Sequence, residues 1–227
     1  MRGELPGCRG AGTVATSGMH SAAEAHLKRV DRKLAKVIGQ AGPCGLKPDG
    51  RRTPFQALVR AVAHQQLNGT AADTILRRFI ALFPGRRFPG PEDLDGVGDD
   101  ALRGAGFSRS KIAAIRDIAA KCQSGVIPTL RVIRGLGDDE IVERLTEARG
   151  VGRWTVEMLL MFTLGRPDVL PADDFGVRQG FRLLHGLDEM PKPSVLREHG
   201  ERWRPHRTVA AWYLWRVVDL SRAKPAK

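Results

Sequence analysis

The sequence predicts an all-α fold of about nine or ten helices, and three observations lead there. Apolar residues recur every three or four positions along most of the chain. The segments between those stretches are short and rich in Gly and Pro, and no convincing run alternates β-branched with polar residues. Finally, 227 residues with 42% apolar side chains can fill a core, as one ordinary domain or two small ones. No internal repeat recurs at a fixed period.

Residues 1–20 are rich in Gly, Arg, Ser and Thr without periodicity and read as a disordered tail, in which Met19 is a candidate start. Order is expected from Ser21, whose hydroxyl has capping-box spacing to Glu24. Ala25, Val30, Leu34 and Ile38 fall near one face of a single helix over 22–38, which Gly39 and the Gly42-Pro43 pair should end. A loop runs on to Pro54. Phe55, Leu58, Val59 and Val62 predict a helix over 55–63; the polar stretch His64-Gln65-Gln66-Leu67-Asn68 with Gly69 then reads as a turn before a helix over 70–83. Pro84, Pro89 and Pro91 break the chain, and helices resume over 91–94, 99–104, 108–122, 138–148, 153–164, 174–184, 194–203 and 207–222.

Lys and Arg number 37 against 25 Asp and Glu, a net charge of +12. That balance disfavours a generic small-metabolite enzyme and favours a polyanionic partner, whose condensed counterions surplus cations displace; part of it can equally serve solubility. The three cysteines, at 8, 44 and 122, are too scattered for a paired zinc motif, a four-Cys cluster or a disulfide framework. A reduced, intracellular setting is the simpler reading. No stretch approaches eighteen consecutive apolar residues, and the first twenty lack a secretory apolar block, so no membrane association is expected.

The most informative segment is 145–155, LTEARGVGRWT. An amphipathic helix ends there, Gly150-Val151-Gly152 turns, and a new helix starts at Trp154-Thr155. Two glycines around one small residue open backbone conformations closed to other residues and remove side chains that would keep a ligand away. The turn's N–H groups and the next helix N-terminus can then meet a phosphate, with Arg149 and Arg153 flanking. A plain helix-helix turn capped by Gly is the competing reading of the same residues.

This segment resembles the helix-hairpin-helix motif of a large DNA glycosylase superfamily, in which the hairpin is followed by a Gly/Pro-rich connection and an Asp. Downstream of WTVEMLLMFTL come Gly165, Pro167 and then LPADDFGVRQG over 170–180. Within that superfamily the chain is similar to the 3-methyladenine DNA glycosylase II, or alkylation-repair, branch. The matching blocks are FQALVRAVAHQQLNGTAADTI, LRGAGFSRSKIAAIRDIA, GVGRWT, LPADDFGVRQG and ERWRPHRTVAAWYLWR, which together run from about residue 50 to 216. The resemblance implies two helical lobes with a DNA-binding cleft between them: one over about 55–137, the other over about 21–54 with 138–227. Longer members carry an additional N-terminal αβ domain, and this chain resembles the compact form without it.

By that resemblance Asp174 is the catalytic carboxylate and Asp173 an accessory or capping residue; from the residues alone, either could cap the following helix. Breaking a C1′–N bond builds positive charge on the deoxyribose, which a carboxylate held below the sugar stabilises. Members that also nick the backbone carry a Schiff-base Lys where this chain has Trp154, and an indole forms no imine. The implied reaction is therefore monofunctional hydrolysis that leaves an abasic site, without lyase activity, an iron-sulfur cluster or a catalytic cofactor.

A base must leave the duplex before it is excised, which calls for a wedge and a pocket. The wedge falls by position on Gln66, with Leu67 next, although amides that tie the turn to the core are the bland alternative. His64 adjoins the turn as a candidate minor-groove probe or a structural histidine. Trp154 and Trp215 are the implied pocket walls, whose indole faces attract a cationic alkylated purine. Met158 replaces a family aromatic there. Gly150, Gly152, Arg153 and Thr155 are candidate phosphate contacts, with Arg202, Arg204, Arg207, Ser108, Arg109 and Lys111 as further ones. The resemblance also implies that the backbone carbonyls of Thr146, Ala148 and Val151 hold a monovalent cation, Na+ or K+. The expected partner is duplex DNA with damaged bases, bound by a monomer in the nucleoid if the source is bacterial and in the nucleus if eukaryotic. A non-catalytic DNA-binding module and a glycosylase for deaminated or mismatched bases remain the alternatives.

Overall fold

The computed structural model describes residues 20–67 and 69–223. The tail expected over 1–20 and the candidate start Met19 lie outside them, save His20, as does Asn68. In chain order the helices are α1 (Ser21–Val30), α2 (Arg32–Ala41), α3 (Pro54–His64), α4 (Gly69–Ala81), α5 (Asp99–Ala105), α6 (Arg109–Gln123), α7 (Leu130–Ile133), α8 (Asp138–Thr146), α9 (Arg153–Leu159), α10 (Phe175–His185), α11 (Pro193–Gly200) and α12 (Arg207–Ala223). Tight 3-10 turns lie at Glu92–Gly96 and Glu201–Trp203, and a wider π-type turn continues α9 over Leu160–Leu164. No strand occurs among the described residues, and none of their helices is long and apolar enough to cross a membrane. The all-α expectation holds.

The chain divides into two compact units, one of them Gly50–Leu159 and the other 20–49 with 160–223 among the described residues. The hairpin α8–α9 thus groups with 50–137, whereas the sequence reading placed it with the other lobe. The reason is packing: α9 lies on α3, Arg149 N–H donates to Asp117 Oδ2 of α6 at 2.7 Å, and Gly150 abuts Ala114 of α6.

In the first unit, α3 starts on a complete capping box. Thr53 Oγ1 accepts the Gln56 N–H at 3.2 Å, and Gln56 Oε1 accepts the Thr53 N–H at 3.3 Å, with Pro54 preset for the first turn. Its buried face, including Phe55, Leu58, Val59 and Val62, packs on α4, α6 and α9. Phe79 of α4 is fully buried, with Phe83, Phe88 and Phe107 edge-on around it at centroid distances of 5.3–5.9 Å.

In the second unit, the single helix expected over 22–38 is two. Asp31 is extended (φ −141°) and its Oδ1 accepts the Lys33 and Leu34 N–H groups, so the carboxylate ends α1 and starts α2. Periodicity runs straight through this break because the apolar faces on both sides meet one core. The capping box expected at Ser21 does not form either: Ser21 is the first residue of α1, with His20 before it and no side-chain cap. Glu24 Oε1 instead accepts the Cys44 N–H at 2.7 Å and the Tyr213 hydroxyl at 2.9 Å, tying the start of the unit to α12. The most extensive helix pairing in the unit is α10 against α12. Gly180 permits it: a Cβ there would stand 2.0 Å from the Leu214 carbonyl oxygen.

Candidate active site

The hairpin owes its shape to Gly150 and Gly152, which do different work. Gly150 is left-handed (φ +76°), a conformation that L side chains rarely adopt, and a Cβ on it would press Ala114 at 3.1 Å. Gly152 has open space around its absent Cβ, so a ligand can reach the backbone there. The Val151 N–H donates to the Ala148 carbonyl at 3.0 Å, and both side chains are buried, anchoring the turn. The first N–H groups of α9 have no partner within their own helix. Arg153 is exposed, with Nε 3.2 Å from Glu157 Oε1, whereas Thr155 is buried. The Thr146, Ala148 and Val151 carbonyls are neutral oxygen donors, a set suited to a hard monovalent ion, and the Ala148 oxygen keeps a second lone pair beside its bond to Val151.

The turn after α3 is fastened to this hairpin. Gln65 Nε2 donates to the Gly150 carbonyl at 2.9 Å, and Lys111 Nζ of α6 donates to the carbonyls of Ala63 and Gln65 at 2.9 and 2.8 Å. Lys111 thereby takes up carbonyls that the end of α3 leaves without helical partners. Burial lowers its pKa below the ordinary lysine range. Gln66, next in the chain, is exposed and left-handed (φ 59°), the one non-glycine residue of positive φ among those described. Such a backbone costs about 1 kcal/mol or more, which the bonds on either side offset. Leu67 is 37% exposed. The tie to the core weighed in the sequence therefore falls on Gln65, while Gln66 and Leu67 point to solvent. His64 is half-buried 3.6 Å from Asp73, and burial lowers its pKa against the pull of that carboxylate.

On α9 Trp154 is 38% exposed, and Met158, one turn on, is buried. Asp174 and Trp215 belong to the second unit and form one construction. The chain turns at Pro171, with the Asp174 N–H donating to its carbonyl at 3.0 Å, and Asp174 then caps α10. Its Oδ1 accepts the Val177 N–H at 2.7 Å and the Trp215 Nε1–H at 2.9 Å, and the residue is only 7% exposed. Trp215 is itself buried and stacks on Phe162 of the π-type turn at 5.9 Å. Gly176 makes the space, since a Cβ there would come within 2.8 Å of the Trp215 ring and 3.1 Å of Asp174 Oδ1. The capping role left to Asp173 belongs to Asp174; Asp173 is exposed and pairs with Arg197.

Several cations considered as phosphate contacts are engaged inside the protein. Arg207 grips Asp168 through Nε at 2.8 Å and Nη2 at 3.0 Å, and Arg204 reaches Asp168 and Glu201, each at 2.8 Å. Arg202 Nε donates to the His199 carbonyl. Ser108 caps α6 through the Lys111 N–H, and Arg109 follows it, exposed. Gly176 as a spacer was missed in the sequence. Gly176 and Gly180, four apart in an amphipathic helix, were the available signal, because glycine in a helix interior costs stability unless something approaches closely.

A glycine hairpin between two helices, fastened to a solvent-facing glutamine turn, and a separate buried carboxylate at a helix start define a helix-hairpin-helix protein of the base-excision type. The chain belongs to the HhH-GPD superfamily of base excision DNA repair proteins, whose pattern matches residues 59–205. It is 42% identical over 202 residues to DNA-3-methyladenine glycosylase 1 of Schizosaccharomyces pombe, covering 88% of each chain. Its fold is similar to the S. pombe 3-methyladenine DNA glycosylase solved in complex with abasic DNA, with a TM-score of 0.81, 39% identity and coverage of 90% of this chain and 100% of that one. The crystal structure of a DNA-3-methyladenine glycosidase from Bacillus halodurans gives 0.77 and 35%, over 90% and 93% of the two chains.

Proposed function

We propose that the protein is a monofunctional DNA glycosylase that flips alkylated purines of the 3-methyladenine and 7-methylguanine type out of duplex DNA and hydrolyses their C1′–N bond. The observation that carries this is the buried Asp174 carboxylate, with Oδ1 held by two N–H donors, in a chain of this family. The hairpin N–H groups around Gly150 and Gly152, with Arg153 and Thr155, grip a phosphate. Gln66, aided by Leu67 and with His64 beside them, fills the gap left by the flipped base. Thr146, Ala148 and Val151 would hold a monovalent cation through their carbonyls, and such an ion would supply positive charge opposite the phosphate.

Trp154 and Trp215 are the aromatic residues for the base, with Met158 one turn after Trp154 in the chain, and Trp215 also orients Asp174. An alkylated purine is cationic, so it is drawn to indole faces. When the C1′–N bond breaks, the bonding electrons go to the base, which leaves neutral. The positive charge passes to the sugar, opposed by Asp174, and water adds at C1′ with loss of a proton to the carboxylate or solvent. Trp154 cannot form an imine with the sugar, so the strand stays intact. The protein acts as a monomer, in the nucleus or the nucleoid.

Incubation with duplex DNA carrying 7-methylguanine should release free base and leave strands that break only after alkaline treatment. Lesion-independent binding without release would instead assign a damage-binding module. Lys111→Met should reduce single-turnover excision about tenfold, because charge-assisted hydrogen bonds to two carbonyls contribute about 1.5–3 kcal/mol. If Lys111 acts through the turn, its loss in a Gln66→Ala background should cost much less than in the wild type, and full additivity would exclude that role.

A further inference from the structure

Within the second unit, and away from Asp174, three metal-ligating side chains converge from different elements. Asp31 precedes α2, His185 ends α10, and His199 lies in the last turn of α11. One ligand atom of each lies within 4.8 Å of the others. Asp31 Oδ2 and His199 Nε2 are 3.2 Å apart. A tetrahedral ion bound at about 2.0–2.1 Å spaces its nitrogen and oxygen ligands about 3.3–3.5 Å apart. The Asp31–His199 edge is therefore already close to the required length, and the widest separation must close by roughly 1.4 Å, a tilt of a side chain rather than a refolding.

His185 sets this cluster apart from an ordinary buried ion pair. An Asp31–His199 hydrogen bond accounts for those two residues alone. The His185 Nε2 atom is buried without a hydrogen-bond partner, although buried polar atoms generally have one. Its ring stacks on Phe181 at 4.2 Å and meets His199 edge-on at 4.8 Å, so it is held at the cluster. Asp31 is oriented as metal-binding carboxylates are, by surrounding donors: Oδ1 by two backbone N–H groups and Oδ2 by the Trp203 Nε1–H at 3.0 Å. Two imidazoles and one carboxylate suit Zn2+ rather than Mg2+ or Ca2+, which take mainly oxygen ligands. Lys33 and Arg202 lie near, donating to the His185 and His199 carbonyls, and oppose a cation; both are exposed, where solvent and salt screen them.

We propose that Asp31, His185 and His199 bind one Zn2+ ion, with water completing the coordination. The ion ties the C-terminal end of α10 to α2 and α11, and it plays no part in base excision. The test uses the full chain, untagged and stripped with a chelator. Zn2+ is titrated against a chromophoric chelator, and Co2+ is followed by the visible absorption of a four-coordinate cobalt ion. One equivalent bound at micromolar Kd or tighter, with a raised Tm, is the expected result. His185→Gln and His199→Gln should each weaken binding at least about tenfold, as loss of supporting residues alone already does at metal sites. Absence of a stoichiometric complex in the wild type overturns the proposal, whatever the variants do. So does binding that neither substitution weakens.

Discussion

Asp174→Asn is expected to abolish base release while the fold and the affinity for DNA persist. An amide oxygen can still accept the Val177 and Trp215 N–H bonds, now 2.7 and 2.9 Å long, and Asn caps helices about as well as Asp. The stability cost should stay below about 1 kcal/mol. What disappears is the negative charge beneath the developing oxocarbenium ion. Removal of one preorganised electrostatic group costs on the order of 100- to 1000-fold in rate. Single-turnover excision of 7-methylguanine, paired with a gel-shift measurement of binding, reads the two effects separately. Near wild-type excision would remove Asp174 from the mechanism. Asp174→Ala is the contrasting variant: it also strips the cap and leaves the buried Trp215 N–H unpaired, so it should lose roughly 2–4 kcal/mol of stability besides.

The largest effect on stability is expected from Gly180→Ala. The new Cβ would lie 2.0 Å from the Leu214 carbonyl oxygen and 2.6 Å from its carbon, and neither atom can yield without moving α12. In a helix interior Ala would ordinarily stabilise by about 1 kcal/mol over Gly. Here overpacking against backbone reverses the sign, and a loss of about 3 kcal/mol or more is expected, lowering Tm by several degrees in a thermal melt. The same displacement would carry Trp215, the residue after Leu214, away from Asp174. An unchanged Tm would show that the two helices have slack between them.

Helix positions were legible in the sequence because one physical signal, apolar periodicity, specifies them. The α1–α2 break was not, since periodicity is blind to a cap when both flanking helices face one core. Asp31 makes the cap through the Lys33 and Leu34 N–H groups, while Trp203 and His199, more than 160 residues away, hold its other oxygen. The short α7 escaped notice because four residues carry no period. Within the candidate site, Asp174 and the glutamine turn were singled out by the family resemblance, whereas the turn at Gly150 and Gly152 stood out through local pattern. The split between Gln65 and Gln66 did not: adjacent identical side chains take opposite tasks according to backbone angle and to the position of Lys111. The surface arginines misled for a related reason. Composition counts charges without placing them: Arg204 and Arg207 are paired with Asp168 and Glu201, so the surplus of +12 lies on other residues.

The Gln65–Gly150 bond has an entropic meaning. In the function proposed above, the turn that enters the DNA and the hairpin that holds its backbone are stapled together before any duplex arrives. Most of the ordering cost of the turn is thus met during folding rather than at encounter. With those roles, such a chain would work as a fixed-length gauge, testing whether a duplex yields at a set distance from the gripped phosphate. A weakened, unstacked nucleotide yields at lower cost than a sound one. Discrimination would then begin with the mechanical compliance of the DNA, ahead of any contact with the lesion itself.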